Sequence, residues 1–167
     1  HYHVILPDLR GLEIRDHDGK QRAEGERHGL QQLVWKRYEP ENYFVTPELL
    51  LAFVESKSPG EDLFARHRHE VMDGLILERV FDSEQADYEN YRKAEPAFRK
   101  TLWRAQTQAR KLSAFAEEFF ERLAAATGSR VLLRKGGFHE LIGLCDPAEL
   151  NGEVGQKLDA LQRLLGA

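Results

Sequence analysis

One cysteine, Cys145, stands among 167 residues, so the chain cannot close an internal disulfide. Together with opening residues that carry no secretory signal pattern, this leads to the expectation of a reducing, cytoplasmic compartment. No apolar run approaches the roughly 20 residues that a bilayer-spanning helix requires, so no membrane partner is expected. The phosphate-cradling GxxxxGK[ST] loop is missing, as is any Ser/His/Asp pattern, which leaves out a nucleotide-hydrolysing loop and a serine triad within these residues. No internal repeat or low-complexity stretch is found. The net charge of −4 gives no overall attraction to nucleic acid, so any such contact must come from local basic patches. His1-Tyr2-His3 opens the sequence without methionine, which suggests a fragment or processed piece.

What is present, 41% apolar and 31% charged residues, describes a globular chain with a densely charged surface. Its length fits one domain, with or without an appendage. The most informative stretch is Leu12-Glu13-Ile14-Arg15-Asp16-His17-Asp18-Gly19. Apolar alternation over Leu12 to Asp16 predicts a strand that delivers two carboxylates to a sheet edge, with Gly19 allowing the turn beyond. At strand rise, Asp16 and Asp18 would lie about 6–7 Å apart, close enough to hold one hard cation or share two.

A second β-type run, Leu33 to Tyr38, leads into Glu39-Pro40-Glu41-Asn42, again with acids two apart just beyond a strand. Four carboxylates gathered from neighbouring strand ends would repel unless cations neutralised them, and oxygen donors suit Mg²⁺ or Mn²⁺. A third run, Arg130 to Leu133, delivers Lys135 before two glycines, where an ammonium could approach a phosphate. Carboxylates, two cations and a lysine form a phosphodiester-hydrolysing set, because paired metals activate water and stabilise the leaving oxygen. The plainer reading is that Glu39 and Glu41 form a solvated turn and Lys135 sits on the surface. An EF-hand is excluded by spacing, with Gln21 and Arg27 where its glycine and glutamate belong.

Between these runs the pattern is helical. Val4-Ile5-Leu6, ended by Pro7, predicts a short edge strand, and residues 20–29 a charged loop. Thr46-Pro47-Glu48 announces a helix with a hydroxyl cap and proline at its first position. Ser58-Pro59-Gly60-Glu61 starts another. A single long helix is expected from Pro96 to about Thr127, with Phe98, Leu102, Leu112, Phe115, Phe119 and Leu123 near one face and Gly128 as its C-terminal cap. Arg99, Lys100, Arg104, Arg110 and Lys111 give that helix a basic side. Asp146-Pro147 opens a closing helix with an apolar stripe of Val154, Leu158, Leu161 and Leu165. The expected fold is α/β, with a small, mainly parallel sheet and an inserted helical subdomain. Its parts are residues 1–57 carrying the acidic strand ends, 58–128 the helical insertion, and 129–167 the C-terminal core with Lys135 and the closing helix.

The strand-D-x-D-G of Leu12 to Gly19, the segment Tyr38-Glu39-Pro40-Glu41-Asn42-Tyr43 and the late Leu133-Arg134-Lys135-Gly136-Gly137-Phe138 together resemble the Toprim nuclease region of OLD-family (overcoming lysogenization defect) proteins, a Rossmann-like domain that follows an ATPase domain. The resemblance implies a metal-dependent DNA nuclease, often in phage defence, using two Mg²⁺ or Mn²⁺ ions. It implies metal binding by Asp16, Asp18, Glu39 and Glu41, catalytic roles for Asp16, Asp18, Glu41 and Lys135, and DNA, an upstream ATPase domain of the same polypeptide and a second copy as partners. The glutamate-bearing strand and helix that open a Toprim domain have no counterpart before Asp16, so they lie upstream of His1 or the domain is degenerate. The alternatives are a non-catalytic Toprim-like module that binds nucleic acid or a partner, and a regulatory helical scaffold whose acids are surface turns.

Overall fold

A computed structural model describes residues 10–58, 62–145, 147, 150 and 152–166. The expected edge strand at Val4 to Leu6 and the helix-opening residues Pro59 to Glu61 and Asp146 lie outside them. The architecture is α/β, with a three-stranded sheet and seven α-helices among the described residues. Strands β1 (Gly11–Arg15), β2 (Gly25–Arg27) and β3 (Leu30–Val34) stand in the order β1-β3-β2. β1 pairs parallel with β3 and β2 pairs antiparallel with it, so the sheet is mixed rather than mainly parallel. The antiparallel pair arises because His28 and Gly29, both at positive φ, close a two-residue hairpin, the backbone that matches strand twist.

The helices are α1 (Pro47–Lys57), α2 (Asp62–Arg79), α3 (Gln85–Lys93), α4 (Pro96–Thr107), α5 (Leu112–Thr127), α6 (His139–Ile142) and α7 (Gly152–Leu165). Thr46 caps α1 as its sequence foretells, its hydroxyl accepting the Leu49 N–H at 3.2 Å. The helix expected over 96–127 is two helices, because residues 108–111 leave the helical path. The run expected as a strand at 130–133 is irregular, bent at Leu132, and joins no ladder among the described residues. Its apolar residues reflect burial of Leu133 against the helical core rather than strand pairing.

A continuous hydrophobic cluster takes in Val45, Leu50 and Phe53, then Met72, Leu75 and Val80, then Phe119, Phe120 and Leu123, and finally Leu133, Phe138 and Leu141. It therefore joins residues from before, within and after the helical stretch. Aromatic rings carry the packing across helices: Phe53 meets Phe120 at 5.6 Å and Trp103 meets Phe115 at 5.4 Å, separations at which edge-to-face pairs add to area burial. The α2/α5 contact is edged by ion pairs, with Arg79 on Glu118 at 2.9 Å and Arg122 bridging Glu78 and Glu118.

Phe98 and three leucines of the closing stripe, Leu158, Leu161 and Leu165, are outside rather than inside. Phe98 on α4 is 59% exposed. On α7 the leucine stripe turns away from the core, with Leu165 71% exposed, whereas Glu153, Lys157 and Ala160 are buried. The inward face holds a polar clamp. Lys157 donates to the Val34 carbonyl at 2.8 Å and to Glu24 at 2.5 Å. Glu153 accepts the Lys36 N–H at 2.9 Å and the Tyr43 hydroxyl. Burial, then the bond to Glu153, drives the Tyr43 phenol well above its usual range. A leucine pattern reports amphipathicity but not which side meets the sheet.

Candidate active site

The strand carrying the acidic pair ends at Arg15, so Asp16 and Asp18 lie in the turn beyond it rather than on one strand face. The Trp35 N–H donates to the Arg15 carbonyl at 3.0 Å, and the Asp18 N–H to the Tyr38 carbonyl at 3.1 Å, so β1 and β3 run side by side into their ends. Asp18 (φ 48°) and Gly19 (φ 68°) are both left-handed, and the Lys20 N–H closes the turn on the His17 carbonyl at 2.8 Å. Aspartate tolerates this region better than most residues. Burial, then repulsion from Asp18, raises the Asp16 carboxyl above its usual range, while Lys135, Arg22 and Lys111 draw it back. Asp18 also faces Arg22 at 3.9 Å.

The second pair divides. Glu39 is 2% exposed and spends both oxygens on one residue: Oε1 accepts the Ser113 backbone N–H at 2.5 Å and Oε2 its hydroxyl at 2.9 Å. Ser113 is the second residue of α5, whose first N–H groups have no partner within the helix and whose dipole favours an anion there. Lys111, at the cap position itself, provides no side-chain bond. Burial is the main force raising the Glu39 carboxyl; the Ser113 bonds lower it, Glu41 raises it and Lys135 lowers it. Glu41 sits in the 3-10 turn Pro40–Tyr43, and its carboxylate bonds no described residue.

Lys135 lies in a second 3-10 turn, Lys135–Gly137, rather than at a strand end. Its N–H donates to Glu117 at 3.2 Å, and its ammonium to the Ser113 hydroxyl at 3.3 Å. Ser113 thus stands between Glu39 and Lys135. The break at 108–111 is what exposes the α5 N-terminus to Glu39, and Asn42 holds that break by donating to the Thr107 and Arg110 carbonyls at 2.9 and 3.0 Å. Neither Ser113 nor the break carries a glycine or proline signal. A serine near a helix start is the only trace, hidden inside an apparently unbroken apolar period.

The five predicted residues therefore form a connected set of charges: Asp16 senses Asp18 and Lys135, and Glu39 senses Glu41 and Lys135. They do not form a closed cage, since among the described residues no three His, Cys, Asp or Glu stand together as a metal site. Asp16 and Asp18 carry oxygen donors of the kind that a hard cation takes. Mg²⁺ is commonly bound this way, through one or two carboxylates with water and substrate phosphate completing the shell. Beside the turn runs an open groove of about 580 Å³ lined by His17, Lys36, Tyr38, Gln106 and Arg110 among others. Among the described residues no helix is long and apolar enough to cross a membrane. Comparison with models of known families, with curated proteins and with solved structures gives no match.

Proposed function

We propose that this chain is the Toprim-like nuclease portion of a larger, ATPase-linked protein, cleaving DNA phosphodiester bonds with the help of Mg²⁺ or Mn²⁺. The observation that carries this reading is that the charge of Lys135, 119 positions away in sequence, lowers the Asp16 carboxyl that burial and Asp18 raise. Asp16 and Asp18 would hold the cation, which supplies charge neutralisation and Lewis-acid polarisation at the phosphate. Lys135, oriented by Ser113, neutralises charge on the leaving side. Glu41 is the free carboxylate for a second ion or for positioning water. Glu39 acts by fixing α5 and, through Ser113, Lys135. The groove lined by Lys36 and Arg110 offers donors to the DNA backbone. DNA phosphate contacts of this kind position a strand without reading its sequence.

The non-catalytic alternative gains weight from Glu39, whose oxygens are both engaged, and from the lack of a three-ligand cluster among the described residues. One experiment separates the two readings: nicking of supercoiled plasmid with Mn²⁺, by this chain and by a longer one including its upstream segment. Nicking that disappears in Asp16→Asn supports the nuclease. DNA retention without nicking in either form, unchanged by Asp16→Asn, supports the binding module.

A further inference from the structure

A second recess, of about 280 Å³, opens between the Pro40–Tyr43 turn, α1 and α4, and none of Asp16, Asp18, Glu39, Glu41 or Lys135 lines it. Its charged wall is Arg37, Lys100 and Arg104 against one carboxylate, Glu48, and its apolar wall includes Trp103. Arg37 is fixed in place: its guanidinium lies 4.8 Å over the Tyr43 ring and donates to the Asn42 carbonyl. Burial and then the neighbouring charge of Arg104 push the Arg37 guanidinium below its usual range. Two guanidinium groups held within repelling distance are relieved by an anion between them, and the planar guanidinium matches phosphate oxygens in pairs.

Asn42 also lines the recess, with both its N–H donors engaged on the Thr107 and Arg110 carbonyls; its Oδ1 accepts nothing among the described residues and is itself sealed from solvent, so it backs the wall rather than meeting a ligand. The volume is near the lower end of small-molecule pockets, about 300–1,000 Å³. A phosphate monoester brings about −1.5 to −2 charges at neutral pH, where a carboxylate brings one.

We propose that this recess binds a small phosphorylated molecule, a sugar phosphate or nucleoside monophosphate, Arg37 and Arg104 taking the phosphate and the apolar wall the organic part. The reading is independent of nuclease activity. Calorimetric titration of the full chain with ribose 5-phosphate, adenosine monophosphate, inorganic phosphate and ribose tests it. Expected is saturable binding of the two esters, tighter than inorganic phosphate, and none of ribose. Arg104→Glu, or Arg104→Gln should the first misfold, weakens the esters at least tenfold, while Arg130→Glu on the distant surface leaves them unchanged. No heat from either ester, equal binding by the Arg104 variant, equal weakening by Arg130→Glu, or inorganic phosphate binding as tightly as ribose 5-phosphate overturns the proposal.

Discussion

The carboxylate of Glu39 and the N-terminal turn of α5 are joined through Ser113, 74 positions later, by two hydrogen bonds of 2.5 and 2.9 Å. This is a helix cap delivered from a distant turn. Glu39→Ala leaves the buried Ser113 N–H without a partner and its hydroxyl with the Lys135 ammonium alone, so it should lower unfolding stability by about 1–3 kcal/mol. Ser113→Ala keeps the backbone bond and should cost less, about 1 kcal/mol. Urea denaturation of both variants checks the order; equal losses would mean the backbone bond contributes little.

The same contact has a pH signature. The folded Glu39 carboxyl lies above its unfolded value, chiefly through burial. The folded state therefore holds its proton more tightly, and stability contributed by Glu39 declines as pH rises from the unfolded carboxyl range through the raised folded one. Glu39→Gln removes this titration. Comparing the two proteins by denaturation between pH 4 and 7 should show wild type losing stability relative to Glu39→Gln as pH rises, with a slope no steeper than about 1.4 kcal/mol per unit, the limit for one proton. A difference that grows in the opposite direction would contradict the burial argument.

At the other end of the fold, α7 is held by polar groups. Lys157 is buried against the Val34 carbonyl while its partner Glu24 remains half exposed, and the bond to Lys157, the largest cause, depresses the Glu24 carboxyl. Lys157→Ala takes this donor from the Val34 carbonyl and leaves the Glu24 carboxylate with the Val34 N–H. Because water reaches Glu24, the expected loss is about 1–3 kcal/mol rather than the larger value of a sealed pair. Amide hydrogen exchange should show α7 opening before α5 in this variant. Leu161→Ala, on the outward face, should change neither stability nor exchange order.

These contacts mark where sequence reading reaches and where it stops. Thr46-Pro47-Glu48 and Gly128 carry local chemistry that produces a cap wherever they occur, and both act as expected: Gly128 ends α5 in the left-handed region. The break at residues 108–111 has no such local cause. It is held by Asn42 and Glu39 from far along the chain, so the apolar period runs through it unmarked. Likewise the leucines of α7 specify an apolar stripe, whereas Glu153 and Lys157 decide its orientation through partners on β3 and near Tyr43. The Arg130 to Leu133 run has strand composition, but composition reports burial and cannot report a neighbouring edge to pair with. At the candidate site, the order of acids and lysine states which charges exist. That Ser113 stands between Glu39 and Lys135 follows only from the folded α5 N-terminus.

Ser113 also separates two roles for Lys135. The lysine is exposed and makes a long bond to the Ser113 hydroxyl, so removing it costs the fold little. If it neutralises charge at the phosphate, Lys135→Ala should reduce metal-dependent nicking by about 10²–10³, the range for losing a positioned electrostatic donor, with urea stability unchanged. Lys135→Arg, keeping the charge but altering reach, should recover part of that loss. Ser113→Ala removes the hydroxyl that orients the ammonium while keeping the ammonium itself, so its effect on nicking should be smaller than that of Lys135→Ala. Single-turnover nicking rates at saturating Mn²⁺ measure all three. A Lys135→Ala rate equal to wild type would remove Lys135 from the reaction and leave it as a surface charge beside Asp16.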